Sequence, residues 1–267
     1  MRLKKKAALV LGAGGRGNMG QAIARRYAAE GARLVVSGRN IAELRVLSEE
    51  IGGVAIACDI TSWADIEQLV AQTNEHLGGI DIAVNCVGLN LGKPFLETTE
   101  EDLQRLYEIQ FKGPFQFLQA VVAAMRDGGS IIQISSAASS ILLDDYAAYR
   151  GTKAAIDQVV RSVADEFGGR GIRINSILPG LVHTPMTDEV CASPEAVELF
   201  ARSSPLGRIA TSDEIAAAAL WLASDECFMT GENLQVSGGL PLRRNPTKGE
   251  LVAAMSRTTR LMEEVRK

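Results

Sequence analysis

Seven short apolar runs punctuate the chain, at 7–11, 33–37, 54–58, 82–85, 130–135, 173–178 and 233–236. Several are apolar almost throughout, as in Ala7-Ala8-Leu9-Val10-Leu11, with no alternation of inward and outward residues. Such runs fit strands of a parallel sheet covered on both faces. Between them apolar residues recur at three- and four-residue intervals over 20–30, 41–51, 62–77, 99–125, 147–168 and 212–223, the spacing of helices with one buried side. Strand and helix in repeated alternation, with right-handed crossovers, predict an α/β fold: a doubly wound, Rossmann-like parallel sheet in a single domain over 1–267. Two stretches stand outside the repeat. Residues from about 184 to 211 contain Pro185, Pro194 and Pro205 and are expected to form a small lid. The tail, from about 240 to 267, carries an amphipathic helix with Leu251, Met255, Thr258, Met262 and Val265 on one face, expected to pack on a neighbouring surface.

Composition narrows the function classes. A length of 267 residues suffices for one large core. A net charge of -4 with both signs interspersed gives no electrostatic reason to expect nucleic acid. No apolar run approaches the roughly 20 residues of a membrane span, so no membrane partner is expected. Met1 to Lys6 has the charge of a secretory leader, but the apolar stretch behind it is too short for one. Cys58, Cys86, Cys191 and Cys227 form no C-x-x-C pair and read as free thiols in a reducing cytoplasm. With only His76 and His183, no metal site and no Ser-His-Asp triad is expected, and no G-x-S-x-G occurs.

The first strand runs into Gly12-Ala13-Gly14-Gly15-Arg16-Gly17-Asn18-Met19-Gly20 and then a helix. Glycines there let the backbone approach a pyrophosphate, and the helix start offers free N–H groups. The alternative is a tight turn without a ligand. At the end of the second strand, Ser37-Gly38-Arg39-Asn40 has no carboxylate to bind a ribose 2′-hydroxyl. Arg39, helped by Arg16, could instead pair with a 2′-phosphate, which points to NADP(H), with NAD(H) possible; otherwise Arg39 is a solvated helix-start residue.

Tyr149 and Lys153 stand four apart on one helical face, and Ser136 lies thirteen residues upstream at the end of the fifth strand. Alone, the pair could be ordinary helix surface. Together with the glycine loop, Asp59, Asn85-Cys86-Val87-Gly88, Pro179 to Met186 and Gly238-Gly239, the chain resembles the short-chain dehydrogenase/reductases over about residues 5 to 240. The resemblance implies Tyr149 as general acid/base, Lys153 holding the nicotinamide ribose and lowering the phenol's pKa, and Ser136 on the substrate oxygen. It implies cofactor contacts at Gly12, Gly14, Asn18, Met19 and Gly20, at Asp59 and Ile60, at Asn85, Val87 and Gly88, and at Pro179, Gly180, Val182 and Thr184. It also implies a homo-oligomer, a tetramer before a dimer.

The pattern departs from that family in three places. The glycine loop is two residues longer than usual, nearer to the enoyl-reductase branch. Gln110 stands where a catalytic asparagine is usual; its amide could still serve a proton relay. Tyr146 precedes Lys153 by seven residues, the spacing of enoyl reductases, unless it is a pocket-wall aromatic. Asp144 and Asp145 before it read as helix-start residues, which would place Tyr146 in the first turn. The expected function is an NADP(H)-dependent oxidoreductase interconverting a secondary alcohol and a ketone. The alternatives are a reductase of a conjugated C=C bond, or a dinucleotide-binding protein without catalysis. By motif position Leu89, Leu91, Ile141, Leu142, Leu143, Leu181 and Met186 would line an apolar substrate pocket.

Overall fold

A computed structural model describes residues 1–265, with side chains through Thr258. Seven strands, β1 (Ala7–Leu11), β2 (Arg33–Gly38), β3 (Val54–Ala57), β4 (Ile82–Asn85), β5 (Gly129–Ile134), β6 (Ile172–Pro179) and β7 (Asn233–Val236), form one sheet. All pair in parallel, in the order β3-β2-β1-β4-β5-β6-β7. Every predicted strand is present within two residues at each end. The register runs Leu9 beside Val35 on one side and Ala83 on the other.

The helices are α1 (Met19–Ala29), α2 (Ile41–Ile51), α3 (Trp63–Leu77), α4 (Glu100–Tyr107), α5 (Gly113–Ala124), α6 (Ala147–Phe167), α7 (Asp188–Cys191), α8 (Pro194–Ser203), α9 (Ser212–Ala223) and α10 (Lys248–Val265). Alternate residues of β1 feed two cores. Ala8 and Val10 pack with Ile23, Tyr27, Leu44 and Leu220 under α1, α2 and α9. Leu9 and Leu11 pack with Ile66, Phe117, Ile156 and Val160 under α3, α5 and α6. Both faces being covered is why β1 reads as unbroken apolar sequence.

One predicted element is corrected. The helix expected over 99–125 is interrupted by a π-helical turn, Glu108–Lys112. Pro114 has no N–H to return to the carbonyl four residues back, and Gly113 sits so close to Ile60 that a Cβ would lie 2.5 Å from its carbonyl oxygen. The backbone accommodates both by widening one turn, as such turns often do at functional sites.

The strand order reverses at β1, whose neighbours are β2 and β4. That switch point opens a cleft at the carboxyl ends of the strands, where ligands bind in such sheets. α7, α8 and the tail lie on the same side of the molecule. α10 rests on α8, with Ala254 fully buried and Thr258 Oγ1 2.8 Å from Ser193 Oγ. The side chains of Met262 and Val265 lie outside the described residues. Among the described residues no helix is long and apolar enough to cross a membrane.

Candidate active site

The larger cleft, about 460 Å³, is floored by the turn from β1 into α1. Gly12 has φ +94, and a Cβ there would lie 2.8 Å from Val87 N. A Cβ on Gly20 would fall 2.6 Å from Gly12 O, so α1 can start against the strand only with glycine at that position. Asn18 holds the turn shut: its Nδ2 donates to Gly12 O at 2.8 Å and its Oδ1 accepts from Gln21 N at 2.9 Å, capping α1. Gly14 and Gly15 face the cavity above this helix start. Backbone without side chains beside the positive end of a helix suits a pyrophosphate.

From β2 and β3 come Gly38, Arg39, Asn40, Cys58, Asp59, Ile60 and Thr61. Asp59 is fixed by Thr61, whose N and Oγ1 donate to its Oδ1 at 3.0 and 2.8 Å. Burial pushes the Cys58 and Cys86 thiols up to about 12, which disfavours the thiolate form. Val87 and Gly88 lie on the cleft wall, while Asn85 is buried behind it. Asn85 Nδ2 donates to Gln133 Oε1 at 2.9 Å, and its Oδ1 accepts from Val87 N at 3.0 Å. It therefore shapes the loop rather than facing the cavity. Arg16 is exposed beside the cleft, and neither it nor Met19 lines it.

The catalytic candidates meet where this cleft joins a smaller pocket of about 180 Å³. Met186 lines both spaces. Ser136, Tyr146 and Tyr149 line the smaller one. Lys153 is buried; its Nζ donates to Ile134 O at 3.2 Å and stands 5.9 Å from the centre of the Tyr149 ring. The π turn buries Gln110, whose Oε1 accepts from Leu89 N at 3.3 Å and whose Nε2 donates to Thr152 Oγ1 at 3.0 Å. A Cβ on Gly88 would lie 3.6 Å from both Gln110 Oε1 and Lys153 Nζ, so the two side-chain ends flank one glycine.

Tyr146 and Tyr149 meet edge to face, with ring centres 5.6 Å apart. α6 begins only at Ala147, which leaves Tyr146 outside the first turn and corrects its expected placement. Asp144 and Asp145 do not cap the helix. They are engaged by Lys248, whose N donates to Asp144 Oδ2 at 2.8 Å and whose Nζ lies 2.6 Å from Asp145 Oδ2.

Burial raises the Tyr149 phenol above its ordinary value of 10.0; the Ser136 hydroxyl opposes the rise. Lys153 Nζ stands 5.9 Å from the ring centre, where at an effective dielectric of about 20 an ammonium offers a phenolate roughly 3 kcal/mol. Burial also brings Lys153 down to about 8, with Asp157 pulling the other way. Asp157, one turn on, is itself raised by burial.

Pro179, Gly180 and Leu181 line the smaller pocket, not the larger cleft. Val182 and Thr184 are buried near it; Thr187 Oγ1 donates to Val182 O at 2.5 Å, and Thr184 N donates to that hydroxyl at 3.0 Å. Of the apolar residues expected around the substrate, Leu143, Leu181 and Met186 line this pocket. Leu89 lines the larger cleft; Leu91, Ile141 and Leu142 line neither, and Leu142 is exposed. Motif position did not reveal Arg105, which reaches the larger cleft from α4. Nor did it reveal Asn90, Val190, Phe200, Asn245 and Leu251 in the smaller pocket. Arg105 shares a helical face with Ile109, a spacing visible in the chain; the tail residues arrive through tertiary packing alone.

A family model described as "Enoyl-(Acyl carrier protein) reductase" matches residues 12–241. The 3beta-hydroxysteroid dehydrogenase 1 of Eggerthella lenta is 34% identical over 251 residues, covering 90% of this chain and 95% of that protein. The chain belongs to the short-chain dehydrogenase/reductase family. D-threitol dehydrogenase of Mycolicibacterium smegmatis is also 34% identical, over 91% of this chain and 95% of its own length. A short-chain type dehydrogenase/reductase from Mycobacterium ulcerans has the same fold, with a TM-score of 0.88, 29% identity and coverage of 92% and 93% of the two chains. As a member of this family the protein is an oxidoreductase that uses a nicotinamide dinucleotide on a small-molecule substrate, and its Rossmann-like sheet is that of its relatives.

Proposed function

We propose that the protein is an NADP(H)-dependent dehydrogenase interconverting a secondary alcohol and a ketone, with Tyr149 as the acid/base. The carrying observation is the cluster of Ser136, Tyr149 and Lys153 at the junction of a dinucleotide-sized cleft and a mostly apolar pocket. The glycine turn and the start of α1 fit the pyrophosphate, Asp59 and Ile60 the adenine, and Val87, Gly88 and Lys153 the nicotinamide end. The cofactor, when bound, supplies or accepts the hydride. Ser136 holds the substrate oxygen by a hydrogen bond, and Tyr149 Oη takes or returns its proton. Lys153 places its ammonium beside the phenol and steadies the phenolate. Since burial leaves that phenol high, the positive charge of the oxidised nicotinamide is the further contribution that brings it into working range. Gln110, tied to Thr152 and Leu89, orders the wall behind Lys153 in place of the usual asparagine. The segment 184–211 acts as lid over the substrate.

Specificity for the phosphorylated cofactor rests on Arg39, which lines the cleft and has no carboxylate beside it at position 38. An arginine–phosphate pair favours NADP by about 1.5–3 kcal/mol, roughly ten- to hundredfold. The two dissociation constants test this. NADP should bind at least tenfold more tightly, and Arg39→Ala should remove most of the difference; equal or tighter NAD binding would refute it.

A second reading, reduction of a conjugated C=C bond, is favoured by the description of the matching family model and by the Tyr146 spacing. Tyr146 is engaged by Asn90 and backed by Gly92, whose Cβ would lie 2.6 Å from its ring. A phenol held in that way suits a pocket wall. The protein acts as a homo-oligomer, tetramer before dimer, in the cytoplasm; an exposed aromatic stripe on α4 and α5 supports the assembly.

A further inference from the structure

The smaller pocket has a wall that the catalytic cluster does not supply. Leu240, Asn245 and Leu251 bring it from the tail. The tail is fastened on both sides of the pocket. Toward the turn after β5, Asn245 Nδ2 donates to Leu142 O at 2.7 Å, and Lys248 holds Asp144 and Asp145. Toward α8, Arg243 Nη1 donates to Arg202 O at 2.6 Å, and the Thr258 hydroxyl meets Ser193 and Glu195. The tail thus straps the two walls together with the pocket between them.

Asn245 is buried, and its amide orientation is determined. Leu142 O can only accept, so the nitrogen must face it and Oδ1 must face elsewhere. Oδ1 makes no hydrogen bond with any described residue. Among the pocket's other polar side chains, Tyr146 is engaged by Asn90, and Thr187 Oγ1 donates to Val182 O. The remaining walls are apolar, among them Leu143, Leu181, Val190 and Phe200. An acceptor set in such walls needs a donor from the ligand, and a substrate lacking one leaves it unpaired. At about 180 Å³ the space falls below the roughly 300 Å³ of drug-sized sites, which suits a compound of a few carbons.

We propose that Asn245 is a specificity-determining residue whose Oδ1 accepts a hydrogen bond from a second hydroxyl of the substrate. The preferred substrate is then a short-chain diol or hydroxyketone rather than a simple alcohol. The proposal rests on the alcohol/ketone reading above. Its test compares kcat/KM for butan-2-ol, butane-2,3-diol and pentane-2,4-diol in the full-length enzyme and in Asn245→Leu, a substitution of similar volume. At least one diol should exceed butan-2-ol tenfold or more, and Asn245→Leu should cut that ratio about tenfold. A merely structural role would lower all three together and leave the ratio alone. That outcome, or no diol preference in the unaltered enzyme, overturns the proposal. Should none of the three be oxidised, the alcohol reading fails by itself. Saturation-transfer NMR on the cofactor-loaded protein then decides the role of Asn245. Tighter diol binding that Asn245→Leu abolishes upholds it, and equal binding of diol and butan-2-ol overturns it.

Discussion

Lys153 shows what a residue does when burial and function pull in opposite directions. Its pKa is about 8 in the folded chain against an ordinary 10.5. Below pH 8 the fold must carry a buried ammonium, at a cost of about 1.4 kcal/mol per unit of depression. Above pH 8 the folded chain sheds the proton while the unfolded chain keeps it until about 10.5, so the cost fades as pH rises. Lys153→Met should therefore be more stable than the parent at pH 7, by a few kcal/mol, with the gain shrinking toward pH 10. Urea unfolding across that range checks it; a gain that grows with pH would contradict the sign. Tyr149, Lys153 and Ser136 were legible because their spacing is local to one helix and the strand before it. The upward push of burial on the Tyr149 phenol was not, because desolvation depends on how residues 184–211, the tail and the sheet enclose it.

At the scale of elements, all seven strands could be read from the sequence, since parallel strands under two helical layers carry uninterrupted apolar residues. The break in the 99–125 helix could not be placed by periodicity, although Gly113-Pro114 was in view. What the spacing could not show is the approach of Gly113 to Ile60, in the turn after β3. The glycine turn is a stricter case. A Cβ at Gly20 would drive the start of α1 off β1, with backbone atoms of Gly12 only 2.6 and 2.9 Å away. Gly20→Ala should weaken dinucleotide binding at least tenfold and lower the melting temperature. Gly17→Ala, whose Cβ meets nothing, should cost only the strain of its φ of +73, about 1 kcal/mol. Calorimetry and cofactor titration on both variants separate these effects.

The whole molecule presents surface that a monomer does not explain. Leu103, Tyr107 and Phe115 are exposed along α4 and α5, with the Phe111 ring stacked on Tyr107 at 5.7 Å and tilted against Phe115 at 6.2 Å. Phe95 and Leu96, in the turn before α4, are exposed too, at 75% and 94%. Exposed apolar residues of this kind mark interfaces, and the proposed closed symmetric assembly would cover them on every copy. Light scattering should give a multiple of the 28.5 kDa chain, four before two, and Tyr107→Asp with Phe115→Asp should dissociate it. A monomer at micromolar concentration would contradict the assembly. In the sequence, Phe111, Phe115, Phe117, Leu118, Val121 and Val122 put apolar residues on more than one side of the 99–125 segment. The sequence could not show which residues the sheet leaves uncovered.

The division of labour between the two tyrosines is where the proposed chemistry is most exposed to test. Tyr149 lies beside Ser136 and within reach of Lys153, whereas Tyr146 sits before the helix and is engaged by Asn90. The direct measurement is turnover of a secondary alcohol, followed by absorbance of the reduced nicotinamide, in Tyr149→Phe and Tyr146→Phe. Tyr149→Phe should lower kcat by several orders of magnitude while the cofactor dissociation constant stays within about twofold, and Tyr146→Phe should change mainly KM. Loss of kcat in Tyr146→Phe with Tyr149→Phe still active, together with activity on an α,β-unsaturated thioester and none on alcohols, would contradict the alcohol dehydrogenase reading.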